Sequence, residues 1–138
     1  MVCRIRIKLK TSQETIEDTA LLNSGFESDE PDIVIPVHIA DKLNLWPPKS
    51  STSTLLETGG GEIITPYYKS AGELELILED REPKRMKVNI IVNPYIDEIA
   101  VSDYVASQLG IILLDFKEGD WRLKDDPPDK IRKSSEKK

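Results

Sequence analysis

The start of the chain alternates strictly, and this constrains the fold more than any other feature. Cys3, Ile5, Ile7 and Leu9 take turns with Arg4, Arg6, Lys8 and Lys10. A period of two puts the apolar side chains on one face and the cations on the other, the pattern of a half-buried strand over residues 2–10. Glu73-Leu74-Glu75-Leu76-Ile77-Leu78-Glu79 alternates in the same way. The turn-forming Asp80-Arg81-Glu82-Pro83 then leads into a strand through residues 88–92. Residues 19–22 read as a further strand. Residues 111–116 and 120–123 bracket Lys117-Glu118-Gly119 as a hairpin. Beyond Leu123, charge and Asp126-Pro127-Pro128-Asp129 offer nothing to bury, so residues 124–138 are expected to be a disordered tail. Residues 1–123 are expected to form one domain, since 138 residues suffice for one core and not for two ordinary ones.

Composition excludes several functions. The net charge is −6, which opposes a general affinity for nucleic-acid phosphates. No apolar run reaches the roughly 20 residues that span a bilayer, and Arg4, Arg6 and Lys8 break up any signal-peptide layout. The single cysteine, Cys3, rules out an intrachain disulfide and fits a reducing interior. A cytoplasmic protein that binds neither nucleic acid nor membrane is the expectation.

Two segments read as helical, and they resemble each other. Residues 33–45 lie over residues 99–111 without a gap. Each begins with an apolar triplet, Ile33-Val34-Ile35 or Ile99-Ala100-Val101. Pro36 suits a first helical position, and Ser102 suits a cap. Ile39 and Leu43 share a helix face, as do Val105 and Leu109. Asn44 and Gly110 stand where a left-handed residue ends a helix. Each copy follows a strand and a polar turn, Leu22-Asn23-Ser24 or Val92-Asn93-Pro94. Two unrelated helices in an α+β domain are the alternative reading.

In this order the elements resemble the retropepsin-like (retroviral-type, clan AA) aspartic peptidases, small archaeal and bacterial relatives included, over residues 5–123. Leu21-Leu22-Asn23-Ser24-Gly25 matches the family's hydrophobic-hydrophobic-Asp-Thr/Ser-Gly motif except at the acid. Glu57-Thr58-Gly59-Gly60-Gly61-Glu62-Ile63-Ile64 occupies the place of the flap hairpin. Ile99-Ala100-Val101-Ser102-Asp103 is an imperfect match, without the glycine, for the hydrophobic pair and Gly before a short helix, and residues 114–123 stand for the closing hairpin.

The resemblance implies an all-β closed barrel with one or two short helices. It also implies a homodimer with one catalytic loop per chain, acting on a peptide or protein substrate with no cofactor and no metal. Asn23 takes the catalytic Asp position. Ser24 would brace the loop across the two-fold axis, and Gly25 would let the backbone turn. Gly59, Gly60 and Gly61 would form the substrate-binding flap. The family's chemistry needs two facing carboxyls that share one proton. A carboxamide has no titratable proton, so an endopeptidase with Asn23 is inactive or nearly so as written. Engineered replacement, natural loss and deamidation back to Asp are distinct accounts of this residue. The alternative function is a non-catalytic, dimeric peptide-binding or scaffolding module on the same fold. The contact between chains is expected at the residue 23–25 loops and the terminal strands around Phe116 and Trp121.

Other candidates read as structural. Glu27, Asp29, Glu30 and Asp32 form an acidic loop, for which basic peptides or a hard cation are the functional alternatives. His38 reads as a helix-surface histidine, since no Gly-x-Ser-x-Gly elbow accompanies Ser24. Cys3 reads as a buried small residue. Trp46-Pro47-Pro48 is expected to end the first helix, with Trp46 covering core.

Overall fold

The computed structural model describes residues 3–23, 25–48, 52–58 (backbone) and 61–137. Cys3, Ile5, Ile7 and Leu9 of strand β1 (Cys3–Lys10) are at most 1% exposed, so the alternation does place one face in the core. β2 (Thr15–Leu22) pairs antiparallel with β1. The next strand in space is β7 (Ile99–Val101), then β3 (Asp32–Ile35), β6 (Lys84–Val92) and β5 (Gly61–Leu76). β5 returns to β1 in the register Ile7↔Leu76 to Lys10↔Glu73, closing a six-stranded barrel. β4 (Thr52–Thr58) pairs only with the first half of β5, as a hairpin carried off the barrel. The fold is all-β, with two short helices, α1 (Val37–Lys42) and α2 (Asp103–Gln108). None of the described helices is long and apolar enough to cross a membrane.

The two copies of the strand–helix pattern interlock. β2 runs parallel to β7, β6 runs parallel to β3, and β3 and β7 lie antiparallel between them. The first strand of each copy thus pairs with the second strand of the other. The loops 23–31 and 93–98 must each pass over a strand of the opposite copy. As a result β3, β7 and the end of β6 are buried on both faces, which is why Ile33-Val34-Ile35, Ile99-Ala100-Val101 and Ile90-Ile91-Val92 are unbroken apolar runs.

Inside, Ile5, Ile33, Ile35, Leu74, Ile90 and Val101 belong to the main core. Outside, a cross-strand row runs Leu21↔Ala100↔Val34↔Ile91↔Tyr67. Phe26 and Ile96, one from each loop, cover that row. Gly72 lets β5 close tightly, because a Cβ there would lie 3.0 Å from methyl groups of both Ile90 and Leu9, which would have to shift.

The helices match in their ends as well as their positions. Ser102 Oγ accepts a hydrogen bond from Val105 N–H, capping α2. Pro36 stands at the cap position of α1 rather than inside it, and makes no side-chain cap bond. Asn44 and Gly110 have φ of 60° and 80°, the left-handed conformation that stops both helices. Asn44 therefore ends α1 before Trp46-Pro47-Pro48 is reached, and Trp46 packs against the core.

β8 (Ile111–Asp115) and β9 (Asp120–Leu123) form the expected terminal hairpin as a separate two-stranded sheet. Residues 124–137, expected as a disordered tail, make hydrogen bonds to β9 and β1. Arg132 exchanges both backbone hydrogen bonds with Trp121, and Ser135 N–H donates to Arg4 O. The Arg132 guanidinium donates to both oxygens of Asp126 and both of Asp80, and lies 5.7 Å from the centre of the Trp121 ring. Charge gives this segment partners where apolar burial gives it none. Only pairing with residues distant in sequence shows this.

Hydrogen bonds from Arg132 and Lys130 hold Asp80 at about 2, and those from Arg81 and Lys84 hold Asp125 at about 2. Arg132 also holds the Asp126 carboxyl far below the ordinary range. These folded-state values lie below the unfolded value of about 3.9, so the stabilisation is complete above that pH and fades as pH falls toward 2. The expected result of thermal denaturation between pH 6 and pH 2.5 is a loss of Tm on acidification that is smaller in Arg132→Ala than in the parent chain.

Candidate functional site

Asn23 follows the last residue of β2 and is exposed. Two hydrogen bonds shape the turn. Asn23 Oδ1 accepts from Gly25 N–H at 3.0 Å, and Asn23 O accepts from Phe26 N–H at 3.0 Å. A Cβ on residue 25 would lie 3.2 Å from that Oδ1, so glycine leaves room for the side chain to fold back. The turn is fastened to α2 in two places. Asp103 N–H donates to Phe26 O, and Ser28 N–H donates to Asp103 Oδ1.

The second copy builds the same turn. Asn93 Oδ1 accepts from Tyr95 N–H at 2.9 Å, and Asn93 O accepts from Ile96 N–H at 3.5 Å. Asn23 and Asn93 are therefore equivalent in sequence pattern, in place and in hydrogen bonding. They differ in environment: Asn93 is 6% exposed, whereas the Asn23 turn opens onto a cavity.

That cavity, of about 490 Å³, lies between the turn, α2 and the terminal hairpin. Cys3, Leu22, Asn23, Ala106, Leu113 and Phe116 are among its lining residues. Cys3 donates a thiol hydrogen bond to Gly119 O, and burial pushes its pKa up to about 11, so it is an inert wall residue. Phe116 is 71% exposed at the rim, and Leu114 on the same hairpin is also exposed. Trp121, on the same hairpin, is 5% exposed and belongs to the core.

The structure gathers some of the expected site residues and separates others. Asn23 and Gly25 share one turn. Gly61 pairs with Thr58 at the end of the β4–β5 hairpin, with φ of 119° and no described atom within 4 Å of where a Cβ would be. It is not among the residues lining the cavity. Ser24, Gly59 and Gly60 lie outside the described residues. His38 is exposed on α1, as its position predicted.

One cluster was missed. Tyr67 Oη donates to Glu30 Oε2 at 3.0 Å, and Asn89 Nδ2 donates to Asp32 Oδ1 at 2.9 Å and to Glu30 Oε2 at 3.2 Å. Ser28 Oγ donates to Asp32 Oδ2 at 2.7 Å. Burial, followed by the hydrogen bond to Glu30, drives the Tyr67 phenol well above its usual range. Half of the acidic loop is thus tied to the barrel wall, while Glu27 and Asp29 face solvent. The available signal was Asn89, a polar residue inside an apolar strand. No group of three or more His, Cys, Asp or Glu side chains among the described residues is arranged to hold a metal ion.

In comparisons with known proteins, no family model matches the sequence and no curated protein matches it.

The paired turns predict unequal costs for equal substitutions. Asn93→Ala leaves an interior turn without its acceptor and should cost about 1–3 kcal/mol. Asn23→Ala, in the open turn, should cost less than about 1 kcal/mol. Asn23→Asp keeps an acceptor for Gly25 N–H and should stay within about 0.5 kcal/mol of the parent. Urea denaturation of the three variants measures the order.

Proposed function

We propose that the chain is a retropepsin-type aspartic endopeptidase scaffold, working as a homodimer, with its catalytic position disabled by Asn23. The observation that carries this reading is the Asn23 turn itself. It is an exposed strand-end turn, held by α2 and opening on a cavity, in a closed barrel of interlocked strand–helix copies. One such turn per chain supplies one side chain, so a dyad needs two chains meeting across a two-fold axis. Phe116, which lines the cavity, and Leu114 on the same hairpin offer exposed apolar surface for that meeting. The hairpin ending at Thr58 and Gly61 takes the part of the flap, over an extended peptide bound by strand-like pairing. A reducing, cytoplasmic setting suits the single, buried Cys3.

In the acid form of such a dyad, one carboxylate takes a proton from water while its protonated partner donates to the peptide carbonyl. Asn23 does neither. Its amide oxygen accepts the Gly25 N–H, and no proton is available for transfer. Losing general acid–base action costs about 10²–10⁴ in rate, and a symmetric dimer loses both members at once.

A second reading, a dimeric peptide-binding or scaffolding module, is favoured by the likeness of Asn23 to Asn93. Both side chains hold turns, and a turn-former needs no acid. The two readings diverge on Asn23→Asp. With unfolded protein as substrate at acidic pH, the peptidase reading expects cleavage at least about 100-fold above the parent, blocked by a pepstatin-type inhibitor. No cleavage by a folded, dimeric Asn23→Asp protein assigns the chain to the binding module. Sedimentation supplies the shared test: a dimer is expected, with Phe116→Asp shifting it to monomer. A strict monomer at high concentration removes both readings.

A further inference from the structure

The C-terminal segment sits in a slot between two elements that do not otherwise pair. On one side, Arg4 N–H donates to Ser134 Oγ and Arg4 O accepts from Ser135 N–H, both at 2.8 Å. On the other, Trp121 N–H donates to Arg132 O at 2.9 Å, and Trp121 O accepts from Arg132 N–H at 2.7 Å. The Trp121 indole N–H adds a bond to Lys133 O. The slot thus reads a peptide backbone from both edges, as an added strand is read.

It also reads one side chain. Asp80 and Asp126 converge on the Arg132 guanidinium, each through two oxygens, while the Trp121 ring lies beneath it. Asp126 has a second anchor in Leu123 N–H, so its carboxylate is fixed by β9 as well as by the arginine. Planar bidentate geometry against two carboxylates selects arginine over lysine.

The occupant is held with little apolar burial, its Arg132 side chain being enclosed, at 11% exposed. Among the described residues after Asp126, none is buried, and Ile131 is 56% exposed. The wall is different: Trp121 and Leu123 are core residues. A cavity of about 340 Å³ remains beside the segment, bordered by Arg6, Ile77 and Trp121. Removing the segment would expose no core side chain of its own. It would uncover backbone groups of Arg4 and Trp121 and the carboxylates of Asp80 and Asp126, the latter still bonded by Arg81.

We infer that this slot is a recognition site for an extended peptide that carries an arginine followed two residues later by a serine, and that the chain fills it in cis with residues 130–136. The site lies apart from the Asn23 turn and does not depend on what that turn does. A tethered occupant acts at an effective concentration of about millimolar, so an outside peptide must compete with it. Weakening the tether's own arginine opens the slot.

The probe is a fluorescently labelled peptide with the sequence of residues 130–137, titrated by anisotropy against the full chain. Full-length Arg132→Ala is expected to bind it saturably, at least about tenfold more tightly than the parent chain. The same peptide with its own Arg132→Ala should not bind. Equal affinity for parent and variant would place the peptide elsewhere and overturn the inference. So would absence of saturable binding by a folded variant. Ser135→Pro, which removes the N–H donated to Arg4 O, provides a second opened chain with its own arginine intact, and is also expected to bind better than the parent. If both variants lose the native circular-dichroism spectrum, the segment is integral to the fold and the slot is no exchangeable site.

Discussion

Parallel pairing between the two copies, β2 with β7 and β6 with β3, is the constraint on which the rest of the molecule depends. It forces two antiparallel strands, β3 and β7, into the middle of the sheet and buries them on both sides. Hydrogen-bonded ladders satisfy their backbones there, and apolar side chains fill both faces. Once those strands are fixed, the loops after β2 and β6 have one available course, across the outer row of Leu21, Ala100, Val34, Ile91 and Tyr67. Phe26 and Ile96 then do the same work in the two copies, each covering that row three residues after its asparagine.

That geometry also explains which parts of the chain could be read in advance. Local periodicity made β1 and the second half of β5 legible, because each has one wet face and one dry face. The helix ends were legible from Ser102, Asn44 and Gly110, whose roles are set within a few residues. The closed barrel rested on a resemblance of element order, since periodicity alone does not say which strand neighbours which. The C-terminal segment was not legible. Its order comes from Arg132 meeting Asp80, a turn residue far away in sequence, and no window of composition contains both. Glu30 and Asp32 raised the same difficulty: their partners, Tyr67 and Asn89, arrive from β5 and β6.

At the candidate site the sequence located the turn but gave no reason for its asparagine. The second copy supplies one. An Oδ1 acceptor two residues before an N–H donor closes the turn equally well as amide or as carboxylate, so the fold does not distinguish Asn from Asp at position 23. Position 93 is different. An ionised carboxylate there would have to lie in an environment that leaves the residue 6% exposed, and an amide avoids that desolvation. The two asparagines thus answer to unlike pressures: the interior copy is held to a neutral side chain, whereas the exposed copy is free to carry charge.

This asymmetry separates stability from chemistry at the Asn23 turn. Barrel closure, the bonds that Asp103 makes with Phe26 O and Ser28 N–H, and the Phe26 cover are all indifferent to whether residue 23 has a titratable proton. A change between acid and amide there would alter the acid–base chemistry open to the turn without altering how the chain folds. Under the proposed peptidase reading, loss of the acid would therefore leave the folded scaffold intact. On that reading peptide affinity would persist, because strand-like pairing draws on backbone groups and apolar contacts rather than on a carboxyl.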